Sequence, residues 1–327
     1  MTSLDSLQQR QISLTHAFVV NNAALHSQSW KNMKNPTPSQ VTDNILSRLN
    51  ASKVGGGYGV VWGPALVMDG EYAAHITVVL AGENDIVVVT SGTLNDSLKD
   101  QVDDLDIFPM VPLKSVIPGC QVPANIAEGT SKGVNAILTT ASTVGSQGTL
   151  CDFLGKQQSG ATIRLVGHSL GGALMSVVAL YLKDKFPGFN LFCETFAAPT
   201  AGDALFASYF NKQMAGNALR IYNSLDVVPM AWCATSLDYS LTLYDKNPID
   251  DFMRGTVLSN IDKVVTNNLN YTQWGMGSAN MELRLCGKPQ SDCTSYESQS
   301  AYQHIYEYMT LLGLQPADIP MPPFGSS

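Results

Sequence analysis

Apolar residues recur along this chain at two spacings, one typical of helices and the other typical of strands. Helical spacing covers two stretches near the N-terminus, residues 14–26 and 39–49, and Ser39 is placed to cap the second helix. Extended apolar stretches follow, separated by turns that contain glycine, and they cover residues 59–68, 73–80 and 86–90. The pattern predicts two N-terminal helices followed by the first strands of a sheet.

Beyond residue 120, helical and extended stretches alternate. The predicted helices cover residues 125–139, 170–185 and 203–214, and the predicted strands cover residues 162–166, 191–197 and 219–223. Strands that alternate with helices are typical of parallel sheets with crossover helices. We therefore predict an α/β fold with a mostly parallel central sheet flanked by helices. It forms a single domain over residues 1–327, in which residues 1–50 are an N-terminal helical segment.

The composition argues against some classes of function. The 327 residues are 45% hydrophobic, which is enough for one large core. A net charge of −8 argues against a nucleic-acid partner, because that affinity depends on Lys and Arg side chains that neutralise phosphates. No apolar run approaches the roughly 18 residues that a membrane span needs. Residues 1–29 lack the pattern of a secretion signal, so the sequence does not assign a compartment, and secretion by another route is an alternative. The sequence does not assign an oligomeric state either.

The six cysteines are too few for a disulfide scaffold. Cys286 and Cys293 flank a short loop rich in Gly, Pro and Ser, and the sequence leaves open whether they are bridged. Their spacing fits no zinc-site pattern. We expect the protein to need neither a metal nor a cofactor.

The most informative motif is Gly167-His168-Ser169-Leu170-Gly171. A β-branched stretch precedes it and a stretch with helical apolar spacing follows it, as in a nucleophile elbow. In such an elbow a serine occupies a sharp strand-to-helix turn, and the flanking glycines remove Cβ atoms that would clash there. The motif predicts Ser169 as a nucleophile, and an ordinary Gly-rich turn is the alternative.

A serine nucleophile needs a base within hydrogen-bond reach and an acid that orients the base. In folds with this elbow the chain order is serine, acid, histidine. Four of the five histidines precede Ser169, so His304 alone satisfies this order. We therefore predict His304 as the base and His168 as a structural neighbour of the nucleophile.

The acid has to lie between Ser169 and His304. Asp226 follows the predicted strand at 219–223, and doubly wound sheets place functional groups outside the carboxyl ends of their strands. Asp226 is thus the predicted acid. The alternatives are Asp203, which is placed to cap the next helix, and three carboxylates in a polar, turn-rich stretch, namely Asp238, Asp245 and Asp250.

These residues resemble the class 3 lipases, the fungal-lipase-like family of the α/β-hydrolase fold. The resemblance covers roughly residues 85–310. It rests on the elbow, on the segment 196–202 that leads to Phe206, on residues 220–229 and on His304. It implies an α/β-hydrolase fold with a lid.

The resemblance also implies an oxyanion hole. The family usually has Arg-Gly-Ser or Arg-Gly-Thr after a buried strand, and here Ser91-Gly92-Thr93 stands there, so Ser91 replaces the arginine. The backbone N–H groups of Thr93 and Leu170 then bind the oxyanion. An ordinary turn is the alternative for residues 91–93.

In this family a lid follows the oxyanion segment, which corresponds here to residues 95–106. Leu98, Val102 and Leu105 recur there at helical spacing among charged residues, as in a short amphipathic helix. A surface helix that packs on the core has the same pattern and is the alternative. The chain from Asp226 to His304 is longer than we expect for the family, which predicts an insertion at about residues 237–298.

Taken together, the motif and the resemblance predict a lipase that hydrolyses triacylglycerol esters at an oil–water interface, through an acyl-enzyme formed on Ser169. Another esterase, such as a phospholipase A1 or a feruloyl esterase, is the alternative enzyme. A catalytically silent lipid-binding module is the alternative from a different class of protein.

Overall fold

The computed structural model describes residues 6–26, 29–83, 85–92, 107–142 and 148–324. Its strands are β1 (Gly59–Asp69), β2 (Tyr72–Ala81), β3 (Ile86–Thr90), β4 (Met110–Pro112), β5 (Asn125–Ala127), β6 (Thr162–His168), β7 (Asn190–Phe196), β8 (Ala218–Asn223) and β9 (Glu282–Leu285). Its helices are α1 (Ser6–Asn21), α2 (Pro38–Ala51), α3 (Glu128–Thr139), α4 (Leu150–Leu154), α5 (Leu170–Lys185), α6 (Ala204–Gln213), α7 (Ala234–Ser240), α8 (Asp251–Thr266), α9 (Tyr296–His304) and α10 (Tyr306–Leu311).

Within these residues, seven strands form one sheet in the order β1-β2-β3-β6-β7-β8-β9. The first three strands pair antiparallel, and the pairs from β3 to β9 are all parallel. The prediction of a mostly parallel sheet flanked by helices is confirmed. Because β6, β7 and β8 are neighbours, the segments that follow them meet at the same edge of the sheet.

The sheet separates two apolar cores. Alternate residues of a strand point to opposite faces, so Val88 of β3 packs into one core while Val87 and Val89 pack into the other. Helices α3, α5 and α6 cover the first face. Helices α1, α2 and α10 cover the second.

Several boundaries differ from the predictions, and residues 125–127 of the predicted helix 125–139 form strand β5 instead. Helix α1 begins at Ser6 and ends at Asn21, eight residues earlier at its start than the pattern indicated, because its first turns carry polar, half-exposed side chains with no apolar stripe. The cap of α2 is Thr37, not Ser39. The Thr37 hydroxyl accepts the Gln40 N–H at 3.3 Å and the Gln40 side chain accepts the Thr37 N–H at 2.9 Å, a capping box that leaves Pro38 in the first turn.

The candidate insertion at 237–298 contains α8 and also β9, which pairs with β8 and is therefore part of the main sheet. The cysteines that flank the loop before α9 are not bridged. Cys286 and Cys293 are both free thiols, Cys286 exposed and Cys293 buried against the carbonyl oxygen of Ser298.

Helix α1 carries a buried histidine into the core. His16 is fully buried, and its ring lies 4.3 Å from the ring of Tyr58 in an edge-on contact. Burial, together with the nearby Arg164 cation, lowers the pKa of His16 to about 3, against an ordinary value of 6.5. Between these two values the unfolded chain binds a proton that the folded protein does not.

The stability of the fold should therefore depend on pH through His16. The contribution of neutral His16 to the free energy of unfolding is complete above pH 6.5 and is lost as the pH falls towards 3. For one proton, the free energy of unfolding changes by at most about 1.4 kcal/mol per pH unit. His16→Phe keeps a ring and removes the titration. Urea unfolding between pH 7 and pH 4 should show a flatter curve for this variant than for the wild type. The exposed His26→Phe is the control, and equal slopes in all three proteins would contradict the prediction.

Candidate active site

Ser169 lies on the turn between β6 and α5. Its φ of 57° and ψ of −134° are rare for a residue with a side chain and are typical of the serine in a nucleophile elbow. Its N–H donates to the carbonyl oxygen of Phe196 at 2.9 Å, and its own carbonyl accepts the Gly172 N–H at 2.9 Å. Bonds on both sides hold the strained residue in place.

Two glycines allow the turn to be this tight. A Cβ on Gly167 would lie 2.3 Å from the carbonyl carbon of Gly171, and a Cβ on Gly171 would lie 2.5 Å from the carbonyl oxygen of Thr90. Real Cβ atoms do not approach backbone this closely, so any larger residue would push α5 away from β6 or β3.

Replacing one of these glycines should therefore destabilise the fold. Gly171→Ala should lower the free energy of unfolding by about 2–3 kcal/mol, because the methyl group overpacks the turn. Gly255→Ala is the matched control, since Gly255 is also helical and its Cβ would meet nothing within 4 Å. This control should gain up to about 1 kcal/mol from helix propensity. Equal urea midpoints for the two variants would contradict the argument.

Asp226 and His304 lie side by side at the sheet edge. Asp226 follows β8 by three residues and is completely buried, while His304 is the last residue of α9 and is 1% exposed. The imidazole Nδ1 lies 2.9 Å from Oδ2 and 3.1 Å from Oδ1 of Asp226. In this arrangement the carboxylate accepts the Nδ1 proton, which leaves Nε2 as the basic nitrogen.

The Asp226 carboxylate has two further donors. The Val228 N–H donates to Oδ1 at 3.0 Å, and the Tyr308 hydroxyl donates to Oδ2 at 2.9 Å. Burial and the charge of Asp226 raise the pKa of Tyr308 well above its ordinary value, so the phenol keeps its proton and stays a donor. Sequence reasoning missed Tyr308. Tyr308 is four residues after His304 but in a separate helix that begins at Tyr306, so no periodic pattern in the sequence points to it.

The other candidate acids cap helices or lie exposed on the surface. Asp203 caps α6 by accepting the Phe206 N–H at 2.8 Å, and its second oxygen accepts two bonds from Asn125. Asp250 caps α8 by accepting the Met253 N–H at 2.8 Å. Asp238 and Asp245 are exposed. Among the five candidates, the structure brings Asp226 to the His304 ring.

His304 also lies close to the elbow. Its ring centroid is 4.6 Å from that of His168, the residue before Ser169, and the His168 Nε2 lies 2.9 Å from the His304 carbonyl oxygen. The His304 Nε2 atom is buried and has no hydrogen-bond partner among the described residues. A buried nitrogen without a partner is unusual, and a base that must accept a proton from a reacting group needs such an atom.

The loop after β3 lies against the same turn. A Cβ on Gly92 would be 3.1 Å from the Ser169 Cβ and 3.4 Å from the Leu170 nitrogen, so the oxyanion segment and the elbow are in contact. Ser91, which stands in place of the family's arginine, is buried, and its hydroxyl accepts the Ile76 N–H at 2.9 Å. Thr93 and the candidate lid at 95–106 lie outside the described residues.

In the described ranges no cluster of His, Cys, Asp and Glu side chains has the grouping that would hold a metal ion. No helix of the described part is both long and apolar enough to cross a membrane.

Comparison with known proteins relates part of the chain to a family. Residues 86–235 match the sequence model of the family described as lipase (class 3). The secreted mono- and diacylglycerol lipase 1 of Fusarium solani is 38% identical over 93 residues, which are 26% of this chain and 26% of that protein. The lipase-like PAD4 of Arabidopsis thaliana is 34% identical over 86 residues, 25% of this chain and 15% of that protein. The matched segments thus cover about a quarter or less of these two curated relatives.

A solved structure extends the similarity to almost the whole chain. The crystal structure of M37 lipase has a TM-score of 0.81 and 27% identity to this chain, and the match covers 94% of both chains. This structural similarity and the mostly parallel sheet flanked by helices confirm the predicted fold class. Residues 86–235 are thus similar to the class 3 lipases, and the chain has the α/β-hydrolase fold.

Proposed function

We propose that this protein is a lipase that hydrolyses carboxylic esters, with Ser169 as nucleophile, His304 as base and Asp226 as the orienting acid. The observation that carries the proposal is the buried Asp226–His304 pair, whose free Nε2 lies next to the elbow that presents Ser169. The class 3 lipase match over residues 86–235 and the M37 lipase match support it.

The proposed reaction has two steps. The Ser169 Oγ attacks the ester carbonyl while His304 Nε2 takes its proton, and the N–H groups of Leu170 and Thr93 bind the oxyanion. The alcohol leaves with that proton, and an acyl group stays on Ser169. Water then gives a proton to His304 and attacks the acyl carbon, the acyl–Oγ bond breaks to release the fatty acid, and His304 returns its proton to the Ser169 Oγ. Asp226 stays ionised throughout and stabilises the imidazolium.

Within esters, we propose triacylglycerols as the substrate class. The Fusarium relative is named for mono- and diacylglycerols, which share the glycerol ester bond. A phospholipase A1 or a feruloyl esterase would use the same triad, so hydrolysis of emulsified triacylglycerol, phospholipid and aryl ester should be compared. A silent lipid-binding module would not react with a fluorophosphonate probe. Export also stays a proposal, since that relative is named as secreted.

Loss of the nucleophile and loss of the base should lower kcat to the same extent. Ser169→Ala and His304→Ala should each lower kcat by about 10⁶, and the double variant should be little worse, because the two residues act as a unit. Initial rates on a soluble short-chain ester, with thermal unfolding as the check on folding, measure this. A folded single variant that keeps more than a few per cent of the activity would contradict the assignment.

The acid is tested by an isosteric change. Asp226→Asn keeps the shape but offers Nδ1 of His304 an amide in place of a carboxylate, so kcat should fall by about 10⁴. The exposed Asp238→Asn is the matched control and should keep wild-type activity. Asp203→Asn is unsuitable as a control because Asp203 caps α6. Loss of activity in Asp238→Asn would move the acid to that position.

The lid proposal is tested at the oil surface. If residues 95–106 cover an apolar cleft, opening the lid exposes apolar side chains to water and costs free energy. Contact with an oil surface offsets this free energy. Activity should therefore rise sharply as a partly soluble ester passes its solubility limit. Leu98→Ser/Val102→Ser removes at most about 1.5–3 kcal/mol of apolar transfer energy per side chain. The variant should be more active on monomeric ester and less active on emulsion. A smooth saturation curve in the wild type would contradict the lid without affecting the triad.

A further inference from the structure

The last residue of α1 contacts both sides of the candidate site. The Asn21 Oδ1 atom accepts the Gly92 N–H at 2.9 Å, in the loop that leads to the oxyanion segment. The Asn21 Nδ2 atom lies 3.1 Å from Nδ1 of His168, and Nε2 of His168 lies 2.9 Å from the carbonyl oxygen of His304. One amide and one imidazole therefore connect the Gly92 backbone to the His304 backbone.

The direction of every bond in this series is fixed by its two ends. A backbone N–H can only donate, so the Gly92 amide requires the oxygen of Asn21 on its side and turns the NH₂ group towards His168. That NH₂ group donates to Nδ1, which must then carry no proton. A backbone carbonyl can only accept, so Nε2 must carry the proton and donate it to His304. The contacts assign a single tautomer to His168.

The surroundings keep His168 neutral. Its ring is 2% exposed and packs edge-on against Phe18 at 4.9 Å and Tyr308 at 6.1 Å. Burial and the neighbouring His304 hold the pKa of His168 well below its ordinary value. An imidazolium would place a second proton against the Asn21 NH₂ group, so the hydrogen-bond series requires the neutral form that burial favours.

We propose that Asn21 is a positioning residue for both the oxyanion loop and the catalytic histidine, and that it acts on His304 by fixing the tautomer of His168. This inference rests on the proposed function, because it assigns a role in the same site. Asn21 touches no reacting atom. It sets where the Gly92 loop lies relative to the elbow and anchors the backbone from which the His304 ring projects.

The sharpest variant is Asn21→Asp, which keeps the oxygen for Gly92 and replaces the NH₂ donor by a second acceptor. The carboxylate then requires a proton on Nδ1 of His168, which contradicts the wild-type tautomer. Asn22→Asp is the matched control, because Asn22 directly follows the same helix and its amide donates to the Phe18 carbonyl oxygen at 2.8 Å, a backbone group of α1. Asn21→Ala removes both contacts.

The first readout is the protonation of His168, followed by NMR of ¹⁵N-labelled imidazole in the full-length protein. We expect a proton on Nε2 and none on Nδ1 in the wild type and in Asn22→Asp, and a proton on Nδ1 in Asn21→Asp. A wild-type His168 that carries its proton on Nδ1 would overturn the proposal, and so would an unchanged spectrum in Asn21→Asp. The wild-type half of this test needs no variant to fold and no substrate.

The second readout is turnover. On a soluble ester, kcat of Asn21→Asp should fall about tenfold and that of Asn21→Ala by about 10²-fold, with KM within twofold, because displacement of catalytic groups by a fraction of an ångström costs rate more than binding. Asn22→Asp should keep wild-type kcat even if its melting temperature falls. Folded Asn21 variants with wild-type kcat would overturn the positioning role. A wild type that hydrolyses no ester and does not label with fluorophosphonate would refute the proposed function instead, and the tautomer result would still stand.

Discussion

A fully buried carboxylate imposes the strongest constraint on this site. Moving an isolated charge out of water costs many kcal/mol, so Asp226 can stay ionised only if donors replace its hydration. Among the described residues it has three, namely the His304 imidazole, the Tyr308 hydroxyl and the Val228 N–H. Because these donors contact both oxygens, they restrain rotation of the carboxylate, and with it the orientation of the imidazole that bonds to it.

These donors belong to separate elements, so the site forms only when the elements are assembled. Val228 follows β8, His304 ends α9 and Tyr308 lies in α10. The Tyr308 oxygen also accepts the Asn223 N–H at 2.9 Å, and the Asn223 amide donates to the Gln303 side chain at 2.7 Å. The two C-terminal helices are thereby attached to the end of β8 by buried polar contacts, which are directional in a way that apolar packing is not.

The sequence predicts the parts of this arrangement that depend on local pattern. The elbow motif, the strand that ends before Asp226 and the position of His304 all leave a signal in residue type or chain order, and the structure brings Asp226 and His304 together. Local pattern carries no information about Asn21, because its two contacts join it to residues 71 and 147 positions away. The same holds for the start of α1, where half-exposed polar side chains lack an apolar stripe.

Hydrogen bonds from α2 and α10 hold the C-terminal segment, which gives the N-terminal helical segment a structural role. The Arg48 guanidinium of α2 donates to the Pro320 carbonyl oxygen at 2.5 Å, and the Tyr306 hydroxyl of α10 donates to the Pro322 carbonyl oxygen at 2.6 Å. The C-terminal segment is thus bonded to α2 on one side and to α10 on the other. Because α10 also carries Tyr308, displacement of α2 or of the segment around Pro320 and Pro322 would reach a donor of Asp226 through these hydrogen bonds, without any change in the proposed triad residues.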